Sequence, residues 1–181
     1  VKSHTAPIPA AVKVFAASER MNQLLIEHME HLDPSAWIAQ PPTQSHNRLR
    51  TIAAIFTHMH NVRCKWVRLT APHFKVPAQL HRTHCSPQQA REALAASALR
   101  CTEMLDDSET IQTFRRDGWG AAWPFGIEML CYMVSHEAHH RGQVCMLSHQ
   151  LGFPIGNELT NRLWNWDRLW KDCGFPHGPG R

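Results

Sequence analysis

Apolar residues recur along this chain at alternating steps of three and four over four long stretches, the spacing that lines one side of an α-helix. In the first, Val12, Phe15, Met21, Leu25, Met29 and Leu32 form a stripe that opens at Pro9 and stops at Asp33-Pro34. The second runs from Asn47 to Leu69, with Leu49, Ile52, Ile55, His58 or Met59, Val62, Trp66 and Leu69 facing inward. Ser86-Pro87 supplies a cap and first turn for a third helix, Gln88 to Leu105, whose alanine-rich composition suits close packing. In the fourth, Pro124 can occupy the first turn, Leu130, Met133, Glu137, His140, Val144 and Leu147 carry the stripe, and Gly152 ends it.

Between these segments the chain is polar and punctuated. Pro41-Pro42 marks one loop, residues 72–85 are irregular, and Asp117-Gly118-Trp119-Gly120 marks another loop. No convincing set of strands is present. The pattern predicts an all-α fold, a four-helix bundle over about residues 10–150 with a short C-terminal helical tail over 151–181. The long connections after the first pair of helices would permit a crossover order. With no repeat, low-complexity tract or second hydrophobic core in view, residues 1–181 read as one domain. In the tail, Leu159, Leu163, Trp166 and Trp170 follow helical spacing, so two of these rings are expected to cap the core. Trp164 falls off that stripe, which makes it a candidate contact for a second subunit or a pocket rim.

Composition narrows the partners. The chain of 181 residues is long enough to bury a substantial core. It has no run of eighteen apolar residues, so no membrane span is expected. The N-terminal VKSHTAPIPA lacks the charged start and apolar run of a secretion signal. Six cysteines are scattered without a Cys-x-x-Cys pair and mostly within helical patterns, as buried free thiols of a reduced, cytoplasmic protein would be. Cys145, two residues after Gln143, reads as core packing rather than a redox partner. The net charge of +4 comes from fourteen arginines and five lysines without a compact basic run. Arg48, Arg50, Arg63 and Arg68 lie at different angles around the second helix, which reads as solvated surface and argues against nucleic acid. The arginines remain compatible with an anionic small substrate.

The candidate chemistry lies in the histidines. His136 and His140 are one helical turn apart, so both rings leave the same face and can close on one cation. Their neighbours on that face are apolar, and a buried polar ring without a partner costs about 1–3 kcal/mol, so each needs a hydrogen bond or a metal. His58 sits on the inward stripe of the second helix, whereas His60, about 200° away, belongs to a flank and reads as solvated. If the two helices pack together, His58, His136 and His140 can supply three neutral imidazoles with coordination positions left open. Such a set suits zinc, nickel or another divalent first-row metal, and open positions point to ligand binding or catalysis. His136-Glu137-Ala138-His139-His140 also matches the His-Glu-x-x-His pattern of zinc peptidases. That reading is not favoured, because the downstream candidates His149, Glu158 and His177 do not form a zincin pattern and the sheet of that fold is missing from the sequence.

The segment HMHNVRCKW, followed about seventy residues later by HEAHHRGQV, resembles the DinB/YfiT-like family of metalloproteins. The resemblance covers about residues 10–150 and rests on His140-Arg141-Gly142-Gln143 preceded by a histidine four residues earlier. It implies a bundle with a metal held by one histidine of the second helix and two of the fourth, here His58, His136 and His140. His139, at i+3 from His136, is a steric alternative, and the motif together with the apolar company of His140 decides for His140. The resemblance further implies a homodimer and a metal-dependent enzyme acting on a small molecule, among whose relatives are transferases and isomerases that use low-molecular-weight thiols. No catalytic residue beyond the metal set is assigned: Glu137 reads as a salt-bridge or outer hydrogen-bond partner, and Arg141 and Gln143 as residues that orient the site. The alternatives are a non-catalytic metal-binding dimerisation module and a hydrolase using metal-bound hydroxide.

Overall fold

The computed structural model describes residues 10–40, 50–107, 109–116 and 121–174. Four long helices make the body: α1 (Ala11–Glu30), α3 (Ile52–Thr70), α4 (Pro87–Asp106) and α5 (Ile127–Gln150). A short α2 (Pro34–Ile38) follows α1, and α6 (Asn157–Trp164) and α7 (Trp166–Asp172) form the tail. The fold is all-α, its strand content among the described residues being one two-residue antiparallel pair, β1 (Thr113–Phe114) with β2 (Trp123–Pro124).

The helix ends follow local chemistry. Ser86 and Gln89 form a reciprocal capping box at α4, with Pro87 in the first turn. The Thr51 hydroxyl accepts from the Ala54 amide at 3.1 Å and starts α3, later than the expected Asn47; Asn47 and Leu49 lie outside the described residues, as do Pro9, Pro41-Pro42, Arg48 and the loop at residues 117–120. Asp33 does not simply interrupt α1, because its carboxylate accepts from Ser35 at 2.8 Å and caps α2. α5 stops where Gly152 takes a φ of 85°, a conformation that glycine adopts without steric cost.

Pro124 is not in the first turn of α5. Trp123 pairs with Phe114, the Phe125 amide donates to the Gln112 carbonyl at 3.1 Å, and Trp123 packs edge-on to Tyr132 at 5.3 Å between ring centres. This extended aromatic segment holds the chain out of the helix until Ile127.

Helices α4 and α5 each pack against both α1 and α3, so α1 and α3 face across the diagonal. One apolar cluster joins the C-terminal half of α1 and of α5 to the N-terminal half of α3 and of α4, through Leu25, Phe56, Leu94 and Val144. The other joins the opposite halves, through Phe15, Trp66, Cys101 and Met133. It follows that α1 and α5 run one way and α3 and α4 the other, with the segment 71–86 crossing the length of the bundle.

Between the two clusters lies a buried polar layer. Arg63, with no solvent exposure, donates from Nε to Glu137 Oε1 at 2.6 Å, from Nη2 to Glu19 Oε2 at 2.6 Å and from Nη1 to the Leu94 carbonyl at 3.0 Å. Ser18 and Asn22 donate to the other oxygen of Glu137 at 3.0 and 2.9 Å. Arg63 is therefore not part of a solvated basic surface, because α3 is enclosed by its neighbours on several sides. For the same reason Val67 is buried while Leu69, expected inward, is 36% exposed.

His60 is also buried rather than solvated. Its Nδ1 lies 2.8 Å from the Ala93 carbonyl and its Nε2 2.9 Å from the Ala78 carbonyl, so the flank expected to face water is covered by α4 and the crossing segment. In the tail, Asn165 breaks the expected continuous helix and caps α7 by accepting from the Arg168 amide at 3.0 Å. Leu159 and Leu169 enter the core instead, while Trp166 lies tilted against Trp170, ring centres 4.9 Å apart, and stays exposed. Trp164 is 72% exposed. The six cysteines are free thiols, with Cys64, Cys85 and Cys101 buried and Cys131 exposed.

Removing one member of the central ion pair leaves its partner charged and buried. Glu137→Leu is expected to destabilise the protein by about 3–5 kcal/mol, and Arg63→Met with Glu137→Leu by clearly less than the two single changes summed. Urea unfolding of the four proteins checks this, and strict additivity would refute the coupling.

Candidate metal centre

The polar layer continues on one side into a cluster of imidazoles. His58 on α3 faces His136 and His140 on α5, with ring centres 5.5 Å and 4.7 Å away, and the two α5 rings are 4.5 Å apart. One ring nitrogen from each of the three lies within 4.8 Å of the others. The Nε2 atoms of His136 and His140 approach to 3.2 Å. Two nitrogens bound to one tetrahedral zinc at about 2.0–2.1 Å would stand about 3.3 Å apart, so this pair needs little movement to share an ion.

Gln143 settles how His140 presents itself. Its Oε1 lies 2.7 Å from His140 Nδ1, and an amide oxygen can only accept, so Nδ1 carries the proton and Nε2 keeps its lone pair toward the cluster. At most one proton can lie between the two facing Nε2 atoms. His136 Nδ1 is buried and has no hydrogen-bond partner among the described residues, and the ring packs against Trp66 at 5.3 Å and Tyr132 at 6.1 Å. The donor set fits a divalent cation: three nitrogen ligands, partly desolvated and poorly satisfied by one another.

Burial, with repulsion from Arg50 and the neighbouring rings, pushes the His58 pKa down to about 3, and burial with the nearby His140 pushes His136 down to about 4. His140 is lowered mainly by burial, with the Gln143 bond working against it. The imidazoles are thus neutral near pH 7, the form that donates to a metal.

The remaining motif residues have other tasks. Glu137 points into the ion layer: burial alone would raise its pKa, yet the Arg63 guanidinium outweighs this and keeps the carboxylate ionised. All of its described bonds go to Arg63, Ser18 and Asn22, which removes it as the base of a His-Glu-x-x-His peptidase. Arg141 turns to α1, donating to the Ser18 hydroxyl at 2.9 Å and Asn22 Oδ1 at 3.0 Å, so it braces the ion layer rather than the histidines. His139 is exposed and stands outside the cluster, its ring 5.1 Å from His140. His149 and Glu158 are exposed and also outside it, and His177 lies outside the described residues.

A cavity of about 700 Å³ opens onto His58 and His136, with Trp66 and Tyr132 in its wall and Lys65, Arg82 and Arg116 around it. A second groove of similar volume runs along α5 beside Arg50, His139, Gln143 and Met146, and none of the three clustered histidines is among its described lining residues. Apart from His58 and His136 as candidate ligands and Val62 and Trp66 as stripe positions, the residues walling the first cavity were not singled out by the sequence. Arg82 and Arg116 belong to irregular segments with no periodicity to place them.

A helical bundle with three clustered imidazoles, two of them lining a cavity, defines a class of candidate metal-binding proteins. This chain belongs to the DinB family, whose family model matches residues 7–163. No curated protein and no solved structure matches the chain. Membership and the clustered histidines are compatible with metal binding, and among the described residues no helix is long and apolar enough to cross a membrane.

The lowered pKa values have a sign that can be tested. Between the folded values and about 6.5 the unfolded chain takes up protons that the folded chain refuses, so this part of the stability is complete above about pH 6.5 and lost as pH falls toward about 4 and then about 3. The melting temperature of metal-stripped protein should fall on going from about pH 7 to about pH 5, and less steeply in His58→Asn. Equal slopes for the two proteins would contradict the assignment.

Proposed function

We propose that the protein is a metal-dependent enzyme that acts on a small molecule, with His58, His136 and His140 as ligands of a divalent ion, zinc or nickel. The observation that carries the reading is the convergence of three neutral imidazoles, two of which, His58 and His136, line a cavity rather than sit inside a closed shell. A fourth protein ligand would argue for a structural centre, and among the described residues no cysteine or carboxylate joins the three.

When bound, such an ion supplies Lewis acidity and lowers the pKa of a coordinated water or thiol. The chain's own residues provide the rest. Gln143 fixes the tautomer and rotation of His140, and Trp66 and Tyr132 hold His136 while limiting water on that side. Family membership supports a transferase reaction using a low-molecular-weight thiol, with a metal-dependent hydrolase and a non-catalytic metal-binding dimerisation module as the competing readings. The cavity favours turnover over a non-catalytic module, because it leaves room for a second molecule beside the imidazoles.

Protein purified without a histidine tag or added metal should carry about one ion per chain by elemental analysis. His58→Ala and His140→Ala should lose it and His139→Ala should keep it; retention in His58→Ala would overturn the ligand set. Gln143→Leu should weaken metal affinity by about 10–100-fold, the usual cost of losing such a supporting bond, as read by competition with a chromophoric chelator. Saturable consumption of a small thiol by the loaded protein separates a transferase from a hydrolase, which would instead cleave model esters.

A further inference from the structure

Tyr132 is the single tyrosine of the chain. It stands on α5 one helical turn before His136, so the two side chains leave the helix on the same side, and it lines the cavity together with His58 and His136. Its ring is fixed from several directions. Trp66 at 5.7 Å and Trp123 at 5.3 Å meet it edge-on, Phe114 lies tilted at 6.1 Å, and the Arg116 guanidinium carbon stands 5.6 Å from its centre. These contacts come from α3, from both strands and from the residues after β1, so parts of the chain far apart in sequence agree on one position for the phenol.

All of these contacts engage the ring, and a phenylalanine would make them equally well. Among the described residues no hydrogen bond reaches the Tyr132 hydroxyl, and it is not one of the partnerless polar atoms sealed from solvent. It therefore opens onto space that water or a ligand can fill, and the space this partly buried residue lines is the cavity over the histidines. Of the other uncharged polar side chains in the lining, Asn61 is occupied by Leu80, donating to its carbonyl at 3.1 Å and accepting from its amide at 3.0 Å, and Gln79 is exposed on the crossing segment.

We infer that the Tyr132 hydroxyl hydrogen-bonds an oxygen of the small molecule held at the histidines, and so orients a carbonyl-bearing substrate beside His58 and His136. The inference rests on the reading of this cavity as the substrate site. With the ring clamped, the O–H torsion is the freedom that remains, so the donor is ordered before the ligand arrives and costs it little entropy. Val62 and Trp66 in the same wall suit a hydrocarbon or unsaturated body on that substrate. A site built around one such donor also rejects analogues that lack the oxygen.

The test compares the full chain with Tyr132→Phe, which keeps the ring and removes the hydroxyl. Zinc content and melting temperature should be the same in both proteins. Acetohydroxamate, which brings oxygens to a bound zinc, should bind Tyr132→Phe about 3–10-fold more weakly by isothermal titration calorimetry, the worth of one neutral hydrogen bond, whereas imidazole, a ligand without oxygen, should bind both alike. Because the chain has one tyrosine, incorporating meta-fluorotyrosine gives a single fluorine resonance beside this hydroxyl, and acetohydroxamate should move it. Equal acetohydroxamate affinity in the two proteins would overturn the proposal, as would a Tyr132→Phe protein that loses its zinc or melts earlier, since the hydroxyl would then serve the fold. If the wild-type chain takes up no zinc, the metal reading fails separately and cyclohexanone added to the metal-free, fluorine-labelled chain decides: a saturable movement of the resonance upholds the role of Tyr132, and an unmoved resonance ends it.

Discussion

The Arg63–Glu137 pair is the constraint around which this bundle is arranged. Both groups are fully buried, and at that depth neither charge is tolerable without the other, so α3 and α5 have one permitted rotation and register relative to each other. Glu19, Ser18 and Asn22 extend the demand to α1, and the Leu94 carbonyl extends it to α4. An apolar core at this level would accept several slipped packings of similar energy. A charged layer satisfied in one geometry rejects them, because each slip strands an ion.

The histidine cluster is a consequence of that register. His58 precedes Arg63 on α3 by five residues, and His136 and His140 flank Glu137 on α5, so aligning the ion pair brings the three rings to one end of the same layer. The two sets of polar groups are handled in opposite ways. Around Glu137 both carboxylate oxygens meet donors, from Arg63 on one and from Ser18 and Asn22 on the other, and the charge is locked in. Around the histidines, burial suppresses protonation and, among the described residues, Gln143 is the one matching partner given to His140, so lone pairs remain directed at a common point. Coordination chemistry needs the second arrangement, and the rigidity of the first maintains it.

Much of this was legible along the chain. The stripe Leu130, Met133, Glu137, His140, Val144 and Leu147 is buried throughout, the cap at Ser86 is present, and the three histidines expected to meet do meet. These features depend on steps of three and four residues or on contacts within one turn, which sequence records directly. The errors have a shared cause. His60 and Arg63 sit off the apolar stripe of α3 and were expected in water, yet α3 is enclosed on several sides, and an amphipathic pattern does not reveal a helix whose polar flank is also covered. Pro124 in β2 and the break at Asn165 differ from expectation because aromatic stacking and a side-chain cap outweighed helical spacing there.

The sequence by itself determined the helices, their inward faces and the identity of the three imidazoles, because periodicity and i, i+4 spacing are properties of a single helix. Tertiary structure alone decided that Arg63 is the partner of the salt bridge expected of Glu137, that Gln143 rather than Arg141 supports His140, and that Lys65, Arg82 and Arg116 gather around one cavity. Those outcomes depend on which helices become neighbours and on where an irregular crossing segment is pinned. Distances between residues far apart in the chain are set by packing, and no local pattern encodes them.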